Sequence, residues 1–123
     1  MYSYSEAIEV LIKRFPKLAV IYNNKENLDY YEGLPYLFYE SEFTPYIVKK
    51  IRERDKLELK KIFDFVEEML TNSDDKFVNL IGVAIIESLY YENEFAKFRD
   101  FISEFWGKTT KNDFDEHFIK PAI

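Results

Sequence analysis

Read from its first residue, the chain repeats apolar side chains at three- and four-residue intervals, the spacing that gathers them on one stripe of an α-helix. Ser3 followed by Glu6 is a capping-box pattern, opening a helix whose inner face is Ala7, Ile8, Leu11, Ile12 and Phe15. Pro16 should end it, because proline has no N–H for the helical ladder. Leu18 to Ile21 fits either a further turn of helix or a short strand. Asn23, Asn24, Gly33 and Pro35 then punctuate the least regular stretch, in which Pro35 can open a short helix reaching Glu40. Thr44 and Pro45 read as the cap and first position of another helix, with Tyr46, Ile47 and Ile51 toward the core.

The clearest amphipathic pattern follows. Asp55 and Glu58 make a capping-box-like start, and Leu59, Ile62, Phe63, Val66, Met69 and Leu70 line one face. Lys60, Lys61, Asp64, Glu67 and Glu68 decorate the other. Asn72-Ser73-Asp74 supplies a turn and a fresh cap. From Phe77 to Tyr91 apolar residues cover nearly the whole circumference, which predicts a central helix surrounded by others. Gly82 within it predicts a close helix–helix approach. Asn93 opens a helix bearing Phe95, Phe98, Ile102, Phe105 and Trp106, and Gly107 ends it as a C′ glycine. Lys108 to Asn112 reads as polar linker, after which Thr110 or Asp113 caps a last short helix carrying Phe114, Phe118 and Ile119. The prediction is one all-α domain over residues 1–123, with five to six helices in an antiparallel bundle or a short solenoid-like stack.

Composition narrows the function classes. A chain of 123 residues buries roughly two-thirds of its unfolded surface, so most of its twelve Phe and ten Tyr belong in the core. A net charge of −6 argues against nucleic acid, since phosphate binding needs clustered cations. The nearest such cluster, Lys49, Lys50, Arg52 and Arg54, is interrupted by Glu53 and Asp55 and reads as a solvated helix face. No cysteine is present, which removes thiolate metal sites and thiol catalysis. The N-terminus lacks a basic leader, and no apolar run approaches the roughly 18 residues of a membrane span, so a cytoplasmic location is expected.

Candidate chemistry is thin. His117 stands alone beside Asp113, Asp115 and Glu116, without the convergent ligands a metal needs, and reads as a half-exposed surface residue. Glu87 lies within the most apolar helix, where a structural network to Arg99, Arg14 or a tyrosine hydroxyl is the common outcome. Asp64, Glu67 and Glu68 share a helical face without histidine neighbours, and none of the three glycines forms a phosphate cradle. No catalytic residue, metal or cofactor is predicted.

Binding chemistry is richer. Residues 23–43 hold Glu26, Asp29, Glu32, Glu40 and Glu42 against Lys25 alone, a local −4, interleaved with Tyr30, Tyr31, Tyr36, Phe38, Tyr39 and Phe43. Carboxylates steer and pair with basic groups, and tyrosine supplies contact area at little entropic cost. Tyr91, Glu92 and Glu94 repeat the chemistry at the end of the central helix. The predicted docking set is therefore Glu26, Asp29, Tyr30, Tyr31, Glu32, Tyr36, Tyr39, Glu40, Glu42, Tyr91, Glu92 and Glu94. The competing reading is a solvated loop that turns its rings inward.

The order of RFP, LPYLFYESEF, KLELKKIFDFVEEML, VNLIGVAIIESLYY and a closing FWG resembles small, acidic, helical bacterial immunity proteins of contact-dependent and other polymorphic toxin systems. That resemblance spans most of the chain and rests on hydrophobic pattern. It implies a cytosolic, non-enzymatic protein that covers a toxin's active site or exosite, and it carries no catalytic residue. The expected partner is a basic toxin domain such as a nuclease. A helical adaptor or regulatory subunit of another complex is the alternative.

Overall fold

The computed structural model describes the backbone of residues 1–119 and the side chains of residues 1–116. Eight helices are present among the described residues, so the all-α class stands and the expected five to six is an undercount. After a 3₁₀ turn at Tyr4–Glu6 come α1 (Ala7–Arg14), α2 (Pro16–Asn23) and α3 (Lys25–Tyr31). Then follow α4 (35–53), α5 (Lys56–Thr71), α6 (75–90), α7 (Phe95–Ser103) and α8 (Lys108–Ile119).

Several boundaries follow local chemistry. The Glu6 carboxylate accepts from the Ser3 amide at 2.9 Å, Asp55 accepts from the Glu58 amide at 3.1 Å, and Asp74 accepts from the Phe77 amide at 2.9 Å. Pro16 ends α1 and is itself the first residue of α2, which resolves the stretch left open between helix and strand. The segment from Asn23 to Phe43 is mostly helical rather than irregular. Asn24 caps α3 through the Glu26 amide, and Gly33, at φ 74°, makes the turn before Pro35 opens α4.

Thr44-Pro45 does not start a helix. Residues Pro35–Phe38, Tyr39–Phe43 and Thr44–Glu53 run continuously, with the middle piece wound as π-helix. A proline inside an α-helix clashes with the carbonyl four residues back, here Ser41, and the wider π turn lies over that position. Helix α6 is likewise interrupted by a π segment, Gly82–Glu87. The two π segments pack against each other, and the buried Thr44 hydroxyl donates to the Ala84 carbonyl at 2.6 Å. Gly82 has open space where a Cβ would sit, so close approach is not its role.

Helix α6 contacts α4, α5 and α8. Only Asp75, Lys76 and Asn79 are fully exposed along it, in keeping with a central position. Leu59, Ile62, Phe63, Val66, Met69 and Leu70 of α5 are all buried, together with Phe65. The chain start is pinned to the α5–α6 turn: the Tyr2 amide donates to Asn72 and its carbonyl accepts from Asp74. The Tyr2 hydroxyl and the Arg14 guanidinium both donate to Glu68, at 2.6 and 2.8 Å.

The predicted linker at Lys108–Asn112 is instead the first turn of α8. Its N-terminal donors are met by a side chain from another helix: Glu67 of α5 accepts from the Thr110 amide (2.8 Å), the Thr110 hydroxyl (2.9 Å) and the Thr109 amide (3.1 Å). Gly107 serves this contact rather than a C′ cap of α7, which already ends at Ser103. A Cβ on Gly107 would lie 2.4 Å from the Glu67 carboxyl carbon.

Candidate protein-docking surface

Helix α3 and the turn after it carry one exposed part of the predicted set. Glu26, Asp29 and Tyr30 fall at i, i+3 and i+4 on the outer face, and Glu32 is exposed at the C-cap of the helix. All four are exposed, with Tyr30 at 60%. Several carboxylates elsewhere on the surface are paired, as in Glu9 with Lys13, Asp64 with Lys60 and Asp115 with Lys111. Glu26, Asp29 and Glu32 are not among the carboxylates so engaged in the described residues.

Two of the five predicted tyrosines need correction. Tyr39 is fully buried, its hydroxyl donating to the Ala7 carbonyl at 2.7 Å, and Tyr31 is only 5% exposed. Burial raises the Tyr39 phenol well above its ordinary range. Both rings follow the helical register onto the core side of α3 and α4, so neither can offer contact area to a partner. Tyr36 is half-buried and its hydroxyl accepts a hydrogen bond from the Asn79 side-chain Nδ2 at 2.6 Å. Glu42, half-buried, accepts from the Tyr31 hydroxyl; burial first, then this carboxylate, push the Tyr31 phenol up to about 12.

The buried rings nevertheless shape the surface. Tyr30 meets Tyr31 edge-on at 5.0 Å, Tyr31 meets Phe38 at 5.0 Å, and Phe38 meets Tyr22 at 5.2 Å. The exposed ring is thus braced by a ladder of T-shaped contacts running into the core. Tyr90 braces the exposed Tyr91 in the same way, at 4.9 Å.

The two acidic stretches meet at one place. Glu40, Thr44, Pro45, Val48 and Arg52 of α4 line an open cleft of about 340 Å³ with Ser88 of α6 and Glu92 from the turn after it. Glu40 and Glu94 are exposed and Glu92 is half-buried. The basic cluster is not uniformly solvated: Lys50 is buried and donates to Glu53 at 3.0 Å, whereas Lys49, Arg52 and Arg54 are exposed.

Sequence reasoning missed a larger feature. A groove of about 600 Å³ runs between α1, the end of α2 and the α3–α4 turn, lined by Tyr4, Ser5, Ile8, Glu9, Ile12, Tyr22, Gly33 and Pro35. Its only trace in the sequence is the pair Ile8 and Ile12, which periodicity assigns to the core but which remain partly exposed.

The residues weighed for chemistry are dispersed. Glu87 keeps partial contact with water, Arg14 pairs with Glu68, and Arg99 pairs with Asp115 at 2.9 Å, so the network expected around Glu87 is distributed over other carboxylates. The His117 side chain lies outside the described residues, as do those of Phe118 and Ile119. Among the described residues no three His, Cys, Asp or Glu side chains converge on a metal-sized position. No helix among them is long and apolar enough to cross a membrane.

Fold and surface together define an all-α protein with an exposed acidic-aromatic face and an adjoining apolar groove. The chain belongs to the family described as Domain of unknown function (DUF7674), whose model matches residues 8–120. No curated protein and no solved structure matches it.

Proposed function

We propose that this chain is a non-enzymatic binding protein that docks a basic partner protein on α3 and the turn following it. The observation that supports the reading best is the joint exposure of Glu26, Asp29, Tyr30 and Glu32, with carboxylates open to a partner's lysines and arginines. Unpaired surface carboxylates accelerate encounter with a cationic protein, and a braced tyrosine at their centre supplies durable contact. Glu40, Tyr91, Glu92 and Glu94 form a second, lesser contact region around the α4–α6 cleft. The resemblance to immunity proteins gives the partner its class: a toxin domain such as a nuclease, neutralised in the bacterial cytoplasm by occlusion.

The test begins with recovery of the tagged chain from its native cell and identification of what accompanies it. A basic toxin fragment supports the proposal, and a housekeeping complex supports an adaptor instead. Association of the recovered partner is then followed by stopped flow against salt. An Asp29→Lys/Glu32→Lys variant is expected to associate about tenfold more slowly at low salt, with a flatter salt dependence. Its stability should stay within about 0.5 kcal/mol of wild type, as for exposed positions generally. Equal association rates at low salt would refute the assignment.

A further inference from the structure

The apolar groove beside α3 has no role in folding that its openness explains. Tyr4, Ile8, Ile12, Tyr22 and Pro35 present carbon-rich surface to about 600 Å³ of accessible space, and Gly33 contributes bare backbone to one wall. A well-formed open groove lined mainly by carbon is the default shape of a binding site. The elements bounding the groove also carry three of the chain's exposed large hydrophobics: Val20 on α2 at 75%, Tyr30 on α3 at 60% and Leu34 in the turn at 49%. The groove walls are held in place. Tyr4 is 6.0 Å from Tyr36 and lies under the Lys76 ammonium at 4.3 Å, and Tyr22 meets Phe38 edge-on.

The groove adjoins the acidic face at Glu32, the exposed neighbour of its lining residue Gly33. Beneath the surface, Tyr22 in its wall is linked through buried Phe38 and Tyr31 to the exposed Tyr30, over ring contacts of 5.2, 5.0 and 5.0 Å. Glu32 and Leu34 flank Gly33 in sequence, and Glu9 lies on the rim. Exposed carboxylates thus border the carbon of the groove, Glu32 beside Gly33 and Glu9, which is shared with Lys13, on the rim.

We infer that this groove receives an aliphatic or aromatic anchor side chain from a partner segment whose flanking residues are lysine or arginine. The inference rests on the docking reading above and adds to it a second determinant, an apolar pocket beside the steering charge. Burial of one leucine-sized or larger side chain is worth at least about tenfold in affinity.

The test uses ¹⁵N-labelled protein with ¹³C-labelled isoleucine methyls and three peptides: acetyl-KKLWKK-amide, acetyl-KKGSKK-amide and acetyl-EELWEE-amide. The first peptide should shift the Ile8 and Ile12 methyls saturably together with the Asp29 and Glu32 amides. The second should shift only the amides and bind about tenfold more weakly, and the third should do neither. Ser5→Trp, which fills the groove from an exposed position, should abolish the methyl shifts and leave the amide shifts in place. Amide shifts with both basic peptides but no methyl shifts would overturn the groove inference and leave the docking reading standing. Absence of amide shifts with either basic peptide would overturn both. Methyl shifts of equal size with the acidic peptide, or on dilution of the protein alone, would assign the groove to an uncharged ligand or a second copy and overturn the inference.

Discussion

Glu67→Ala should be among the more destabilising substitutions at a position that is not fully buried, because this carboxylate holds the start of α8 from another helix. It accepts three hydrogen bonds from Thr109 and Thr110, and Thr110 is fully buried. Loss of an N-cap costs about 0.5–2 kcal/mol, and loss of a charge at the positive end of a helix a further ~0.3–1 kcal/mol. Thr110 is left with buried donors, but half-exposed Glu67 is already shared with water, so the combined effect is set at about 2–3 kcal/mol. For a domain of this size that corresponds to a fall in Tm of roughly 6–15 °C. Urea titration with Trp106 fluorescence reads it directly, since the indole stacks on Phe114 of α8 with centroids 4.2 Å apart.

The pH dependence separates a charged cap from mere packing. Burial pushes the Glu67 carboxyl up, but the Thr110 and Thr109 amides and hydroxyls together outweigh it and hold the group below its ordinary value. A carboxyl depressed in the folded state stabilises above its unfolded value, about 4.3, and loses that contribution as pH falls through the folded value. The penalty of Glu67→Gln should therefore be full at pH 7 and shrink toward zero in acid. A Glu67→Ala variant within about 0.5 kcal/mol of wild type, or a Glu67→Gln penalty constant with pH, would refute the assignment.

Gly107→Ala should destabilise by about 1–3 kcal/mol, because the new methyl displaces the Glu67 carboxyl group. In the Glu67→Ala background most of that penalty should vanish, and a double-mutant cycle with a coupling energy near zero would count against the contact. Wild type should lose stability steeply below about pH 4, as Glu68, held low by Arg14 and then Tyr2, protonates alongside Glu67. Circular dichroism across pH 2–7 checks this, and a flat profile would contradict the paired state of Glu68. Thr44→Val removes the hydroxyl from the Ala84 carbonyl between the two π segments and should cost about 1–2 kcal/mol in thermal unfolding; a neutral result would show that bond to be dispensable.

The sequence by itself determined what depends on near neighbours. The apolar period of Leu59 to Leu70 placed a helix and its buried face, because residues three and four apart share a stripe whatever surrounds them. Asp55 and Asp74 marked helix starts because a cap and its amide are three residues apart. The density of acid and ring in residues 23–43 is a property of the sequence, but it does not say which of these residues face out. Tyr30 and Tyr31 are adjacent in sequence and about 100° apart around a helix, so the exposure of one and the burial of the other depend on where α4 packs.

Only the tertiary structure decided the features with distant partners. Lys108–Asn112 reads as linker from its own residues and is helix because Glu67, more than 40 positions earlier, satisfies its first donors. Pro45 reads as a helix start and lies inside one, because a π segment widens the turn before it and packs on a second such segment from α6. The groove required three helices and a glycine turn to converge, and no local pattern encodes a space between elements. Periodicity reports which side of a helix is apolar; whether that side is sealed, braced or left open is settled by what the fold lays against it.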